Sequence, residues 1–145
     1  MVIAIIGENC TGKSTLAKAI AGKINAGIIT GKDYLRMAKT EGEAARLFRQ
    51  KLEAAMESEM LIYVISEKEQ LSFLPKTAVK VLVTAELDTI KERFRARMHG
   101  NLPAPVEMML EKKHGMFDEG EYQLRYHSGR DDLDTAVEVV AELVY

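Results

Sequence analysis

The sequence predicts an α/β domain, a parallel sheet covered by helices on both faces, and three observations predict it. Short apolar, β-rich runs recur along the chain and end at glycine or polar residues. Segments with apolar residues every three or four positions alternate with them, which is the helical period. No repeat, low-complexity stretch or linker divides the 145 residues, so these elements share one core and form one domain over 1–145. Strands that alternate with helices are joined by right-handed crossovers, which makes them parallel.

The elements follow in order. Val2–Ile6 is an apolar run ended by Gly7, the pattern of a strand buried on both faces. Over Lys13–Ile24, Leu16, Ile20 and Ile24 recur at i+4 and make a helical stripe. Gly27 precedes a second apolar run, Ile28–Thr30, which Gly31 breaks. Ala44, Phe48, Leu52 and Ala55/Met56 give Glu43–Glu57 a helical face. Met60–Ile65 and Ala78–Val83 read as buried strands. Glu86–Met98 is helical, with Leu87, Ile90, Phe94 and Met98 on one face, and it breaks at His99-Gly100-Asn101. Pro103 and Pro105 forbid its continuation. A short helix is expected over Val106–Lys113, a last strand over Glu121–Tyr126, and a terminal helix capped by Asp131 or Asp132.

Composition narrows the function classes. Twenty Lys and Arg against 22 Asp and Glu leave a net charge of −2, which argues against a nucleic-acid binder with a clear basic excess. Apolar residues at 47% and charged residues at 29% are those of a globular chain, not a disordered one. Cys10 is the single cysteine, so no internal disulfide is possible and a reducing, cytoplasmic setting is expected. The longest apolar run falls far short of the ~20 residues of a membrane helix, and the amino-terminal residues lack the basic region of a signal peptide. His99, His114 and His127 share no metal-ligand spacing.

The chemistry is concentrated between the first strand and the first helix. Gly7-Glu8-Asn9-Cys10-Thr11-Gly12-Lys13-Ser14-Thr15 fills every fixed position of G-x-x-x-x-G-K-[ST]. Gly7 and Gly12 permit backbone angles that turn successive N–H groups inward around an anion. Lys13 places a compact positive charge at the β- and γ-phosphates of a nucleotide, and Ser14 offers a hydroxyl to Mg²⁺. The helix that starts at Lys13 aims its positive end at the same phosphates. The expected cofactors are ATP and Mg²⁺. Cys10 fills one of the variable positions of the loop, beside that helix terminus and Lys13.

Two further segments carry a family resemblance. Thr30-Gly31-Lys32-Asp33-Tyr34-Leu35-Arg36 resembles the T-G-D-x-L-R segment of adenylate kinases with one residue inserted. Glu92-Arg93-Phe94-Arg95-Ala96-Arg97 resembles the E-R-x-x-x-R helix end that opens the lid of nucleoside monophosphate kinases and shikimate kinases. With the phosphate loop, the chain resembles the P-loop small-molecule kinases of that group over nearly its whole length. The resemblance implies a three-layer P-loop fold with a five-stranded parallel sheet ordered 2-3-1-4-5, ATP–Mg²⁺ as donor, and a mobile lid over about 99–120. It also implies that Arg93 and Arg97 meet the nucleotide and that Arg36 grips the acceptor's phosphate. Asp33 is expected on the acceptor and metal side, and Glu67, where many relatives place an aspartate, in the metal's water shell or as the group that poises the nucleophile.

The departures leave the acceptor open. The D-G-F-P-R signature of adenylate kinases and the G-G-G run of shikimate kinases are absent, and Glu107 and Met109 stand where adenylate kinases use arginines. The reading is an ATP-dependent phosphotransferase acting on a nucleotide or similar metabolite, as a monomer or homodimer. An ATP-binding regulatory module or a slow NTPase fits the same motifs.

Overall fold

The protein is described here by a computed structural model covering residues 1–145. Its strands are β1 (Val2–Ile6), β2 (Gly27–Thr30), β3 (Leu61–Ile65), β4 (Val79–Thr84) and β5 (Leu124–His127). They form one parallel sheet in the order β2-β3-β1-β4-β5. The helices are α1 (Lys13–Ile24), α2 (Glu41–Ser58), α3 (Leu87–Arg97), α4 (Ala104–Lys113) and α5 (Leu133–Val144). Two 3₁₀ helices, Asp33–Met37 and Lys68–Phe73, follow β2 and β3.

The two central strands explain the layers. Every residue of β1 and β3 is buried, and their side chains alternate between two cores. Ile3, Ile5 and Val64 join α1 and α5 through Leu16, Ile20, Val137 and Val140. Val2, Ala4, Ile6 and Tyr63 join α2 through Ala44, Phe48 and Leu52. Phe48 centres the second core: Tyr34 stacks on it at 5.2 Å, and Tyr63 and Phe73 meet it at 4.9 and 5.2 Å. Truncating a ring so enclosed costs about 3–5 kcal/mol.

The predicted elements are present, and the differences have physical causes. α4 begins at Ala104, not Val106, because Pro103 and Pro105 sit where a first helical turn accepts proline. The last strand lies at Leu124–His127, shifted from Glu121–Tyr126, because Gln123 fastens its start through backbone and side chain to Lys80. Met98 lies past the end of α3 and is 48% exposed, so of that helix's expected stripe only Ile90 is fully enclosed. β2 is a sheet edge and largely exposed. The Lys68–Phe73 turn has no strong periodic signal in the sequence; Glu67 and Gln70 close it by a reciprocal capping box. No helix is long and apolar enough to cross a membrane.

Candidate active site

All five strands run the same way, so their carboxyl ends deliver Gly7, Gly31, Ser66, Ala85 and Ser128 to one edge of the sheet, where open α/β sheets bind ligands. The loop from Gly7 to Gly12 forms a cradle there. A Cβ on Gly7 would stand 2.5 Å from the Val83 carbonyl oxygen, so only glycine allows the loop to lie this close to β4. Gly12 has φ 102° and Cys10 φ 63°, the left-handed geometry that turns the loop's N–H groups inward. The Thr11 hydroxyl donates to the Glu8 carbonyl at 2.8 Å and braces the turn.

Lys13 is buried, and its ammonium donates to the Glu8 carbonyl at 2.6 Å. Burial pulls its pKa down to about 8, against the pull of Cys10, Glu8 and Glu67; the Arg97 guanidinium adds to the lowering. A buried cation whose one hydrogen-bond partner is a backbone carbonyl fits a site made for an anion. A cavity of about 310 Å³ opens beside it, and Ser14, Thr15, Thr30, Ser66 and Arg97 reach its wall. The polyphosphate of a nucleotide fits this lining, with Lys13 and Arg97 as its cations and the Ser14 hydroxyl, exposed on the wall, as the donor for a divalent metal.

The arginine pair of α3 divides its work. Arg93 donates to the Cys10 carbonyl at 3.0 Å and to the Ser128 hydroxyl at 3.1 Å, which ties the cradle to the end of β5. Arg97 makes no such bond and borders both the cradle cavity and a second one of about 390 Å³. Tyr126, Ser128, Gly129 and Leu133 line the far side of that second cavity.

The segment expected as a lid rests on the cradle. The Glu8 carboxylate accepts from the Gly115 N–H at 3.0 Å and meets the His114 Nδ1 at 3.0 Å. Lys113 stands 3.6 Å from Glu67. Glu107 pairs with Lys91 of α3 at 3.4 Å, and Leu110 packs with Cys10, Ala85 and Ile90. Met109 lines the closed seam between α4 and the cradle, so the two residues that replace arginines make packing and ion-pair contacts.

The remaining predicted residues lie toward β2 and β3. Asp33 accepts from the Thr30 N–H at 3.1 Å and its hydroxyl at 2.9 Å, bonds that hold its carboxyl below the usual range. Its partner Thr30 reaches the cradle cavity and Asp33 does not. Arg36 is exposed on the 3₁₀ turn and lines neither nucleotide-sized cavity. Glu67 is half-buried, between Lys113 and a further cavity on the β2 side. Sequence reasoning missed Thr30, Ser66 and Ser128. The first two were readable as residues at the exits of β2 and β3, whereas Ser128 carries no local signal.

The ABC transporter family model matches residues 1–124, from the first strand past α4. The chain belongs to that family, and is a P-loop NTPase. No curated protein sequence matches it. Among solved structures, shikimate kinase from Bacteroides thetaiotaomicron is 23% identical, with a TM-score of 0.63 over 99% of this chain and 98% of that one. YorR of Bacillus subtilis, in complex with phosphorylated GDP, is 20% identical, with a TM-score of 0.68 over 99% and 95%. A gluconokinase from Sinorhizobium meliloti is 16% identical, with a TM-score of 0.64 over 99% and 93%. The chain shares its fold with these proteins, a shikimate kinase and a gluconokinase among them.

Proposed function

We propose that the protein transfers the γ-phosphoryl of ATP–Mg²⁺ to a small acceptor. The observation that carries this reading is the buried Lys13 cation, which faces a polar cavity shared with Ser14 and Arg97 on one side and the exits of β2 and β3 on the other. The gluconokinase, shikimate kinase and nucleotide-bound neighbours support it through their shared fold. ATP–Mg²⁺, when bound, supplies the transferable phosphoryl group and a metal that neutralises its charge.

The residues then divide as follows. The N–H groups between Gly7 and Thr15 surround the phosphates, and Lys13 leaves the Glu8 carbonyl to balance charge on the oxygens that bear it in the transition state. Ser14 holds the metal. Arg97, bordering both cavities, is free to follow charge as it moves to the bridging oxygen. Arg93 keeps the loop in shape, and Tyr126 and Leu133 offer the base an apolar wall. Glu67 is the carboxylate for the acceptor hydroxyl or the metal's water shell, and Asp33, outside the cavity, positions Thr30 on its wall. A reaction that draws on ATP and a chain with one cysteine suit the cytoplasm.

The family match favours a second reading, an NTPase that drives a partner without an acceptor of its own. ADP release with and without a panel of nucleosides, nucleotides, sugars and sugar acids separates the two. Stimulation of at least tenfold by one acceptor class supports the kinase. ADP release that no acceptor changes removes it in favour of the NTPase.

A further inference from the structure

A cavity of about 440 Å³ lies on the β2 side of the cradle, next to the proposed transfer site. The two spaces are continuous along the chain: Thr30 and Ser66 line the cradle, while Lys32 and Glu67, one or two residues on, line this cavity. Its apolar walls are Tyr34 and Phe73, whose rings meet at 4.7 Å. Its charges are the carboxylates of Glu41, Glu67 and Glu69 against the ammonium of Lys32. Arg49 sits over the Phe73 ring at 4.9 Å but is not part of the lining, and Arg36 does not reach it.

Gln70 gives this space a second, independent feature. It is 5% exposed, and its carboxamide oxygen accepts from the Ser66 and Glu67 N–H groups at 3.1 and 3.2 Å. Those bonds fix the amide, and its Nε2 donates to no protein group while Gln70 forms part of the cavity wall. The amide donor keeps accessible surface at the wall, where it is open to a ligand oxygen.

We infer that this cavity binds the phosphoryl acceptor, and that the acceptor is a hydroxyl compound carrying a protonated amine and no phosphate or carboxylate. An anionic acceptor would face Glu41 and Glu69 against Lys32, with Glu67 held 3.6 Å from Lys113, and a cleft with an excess of one sign of charge concentrates the opposite sign. An ammonium pairs with Glu41 and Glu69, an oxygen takes the Gln70 amide, and the ring or chain lies against Tyr34 and Phe73. The inference rests on the phosphotransfer reading for the word acceptor; the cavity's charge preference does not.

The test separates the two. Pyranoses of like size and different charge, glucosamine, glucose and glucuronate, and an aminoglycoside beside a neutral oligosaccharide, are titrated into the full chain with ADP–Mg²⁺. The side-chain amide resonance of Gln70, assigned by its loss in Gln70→Met, reports occupancy. Tighter binding of the amine over the neutral compound, and of the neutral over the acid, by about tenfold in total supports the proposal. The double variant Glu41→Gln/Glu69→Gln should flatten that order, with Gln70 still reporting binding. Equal affinities, a preference for the acid, or an unmoved Gln70 resonance throughout overturns it. Amine binding without ADP release from ATP–Mg²⁺ leaves the cavity's preference intact and removes phosphotransfer instead.

Discussion

The proposed donor side and the proposed acceptor side of the sheet edge are built in opposite ways. The cradle is made of backbone: Gly7 pressed on β4, Cys10 and Gly12 in left-handed geometry, and a single buried cation, all braced by the Thr11 and Arg93 hydrogen bonds. The acceptor side is made of side chains on two 3₁₀ turns and the start of α2, with Lys32, Glu41 and Glu69 exposed. Backbone geometry binds what all nucleoside triphosphates share, whereas exposed side chains change without disturbing a core. One edge can therefore keep a constant donor and serve a different acceptor.

The largest effect falls on Lys13. Lys13→Ala should lower turnover by roughly 3–4 kcal/mol in activation free energy, the loss of one charge aimed at a transferring group. The fold should survive, because the lysine's lowered pKa means that its charge costs stability where it stands. That cost is present in full below pH about 8 and fades as the pH rises toward the unfolded value, so wild-type stability should gain on Lys13→Ala between those limits. ATP binding favours the charged form. Affinity should therefore fall as the pH rises through about 8, with proton uptake on binding, measurable by calorimetry in buffers of different ionisation enthalpy. ATP affinity unchanged in Lys13→Ala would break the donor assignment.

Gly7→Ala tests whether the cradle tolerates a side chain at all. The new methyl meets the Val83 carbonyl, which β4 cannot withdraw without losing register with β1 and β5. A cost of about 1–3 kcal/mol by urea melt, with lost nucleotide binding, is expected. On the other side Gly42 offers the contrast: a Cβ there meets nothing within 4 Å, so Gly42→Ala in α2 should stabilise by about 0.5–1 kcal/mol.

The same contrast decides what was legible in the sequence. The cradle is contiguous, and each of its residue types has a fixed job, so nine residues name it. The sheet order came through resemblance, and the strands through β-rich runs enclosed on both faces. What could not be read are contacts between distant segments: Arg93 on Ser128, Glu8 on His114 and Gly115, Gln70 on Ser66 across a turn with no apolar period. Arg36, which the motif assigns to the acceptor, follows the residue inserted at Lys32 and is exposed on the 3₁₀ turn.

Glu8 ties the cradle to the segment after α4, and replacing it should matter less than either glycine or lysine in the cradle. Glu8→Gln keeps an acceptor for Gly115 and weakens the His114 contact, a loss of about 1–1.5 kcal/mol for one charge-assisted bond. Hydrogen exchange over 114–120 should speed up about tenfold in the nucleotide-free protein, while α1 and β1 stay protected. Unchanged exchange would mean that Leu110 packing alone holds the segment down.

The smallest effect belongs to Arg36, and it tests how far the acceptor side is independent of the donor side. Arg36 is exposed, has no ion-pair partner within bonding distance, and stands on a turn whose fold depends on Tyr34 packing and on Asp33 holding Thr30. Arg36→Ala should therefore change thermal stability and ATP affinity by no more than about 0.5 kcal/mol. If the acceptor is cationic, removing a nearby positive charge should lower its KM slightly, and the change should shrink in high salt, as exposed charges do. If the acceptor carries a phosphate gripped by this side chain, KM should instead rise at least tenfold. The direction of that one KM change, measured at low and high salt, decides whether the acceptor edge follows the charge of its cavity or the motif that surrounds Arg36.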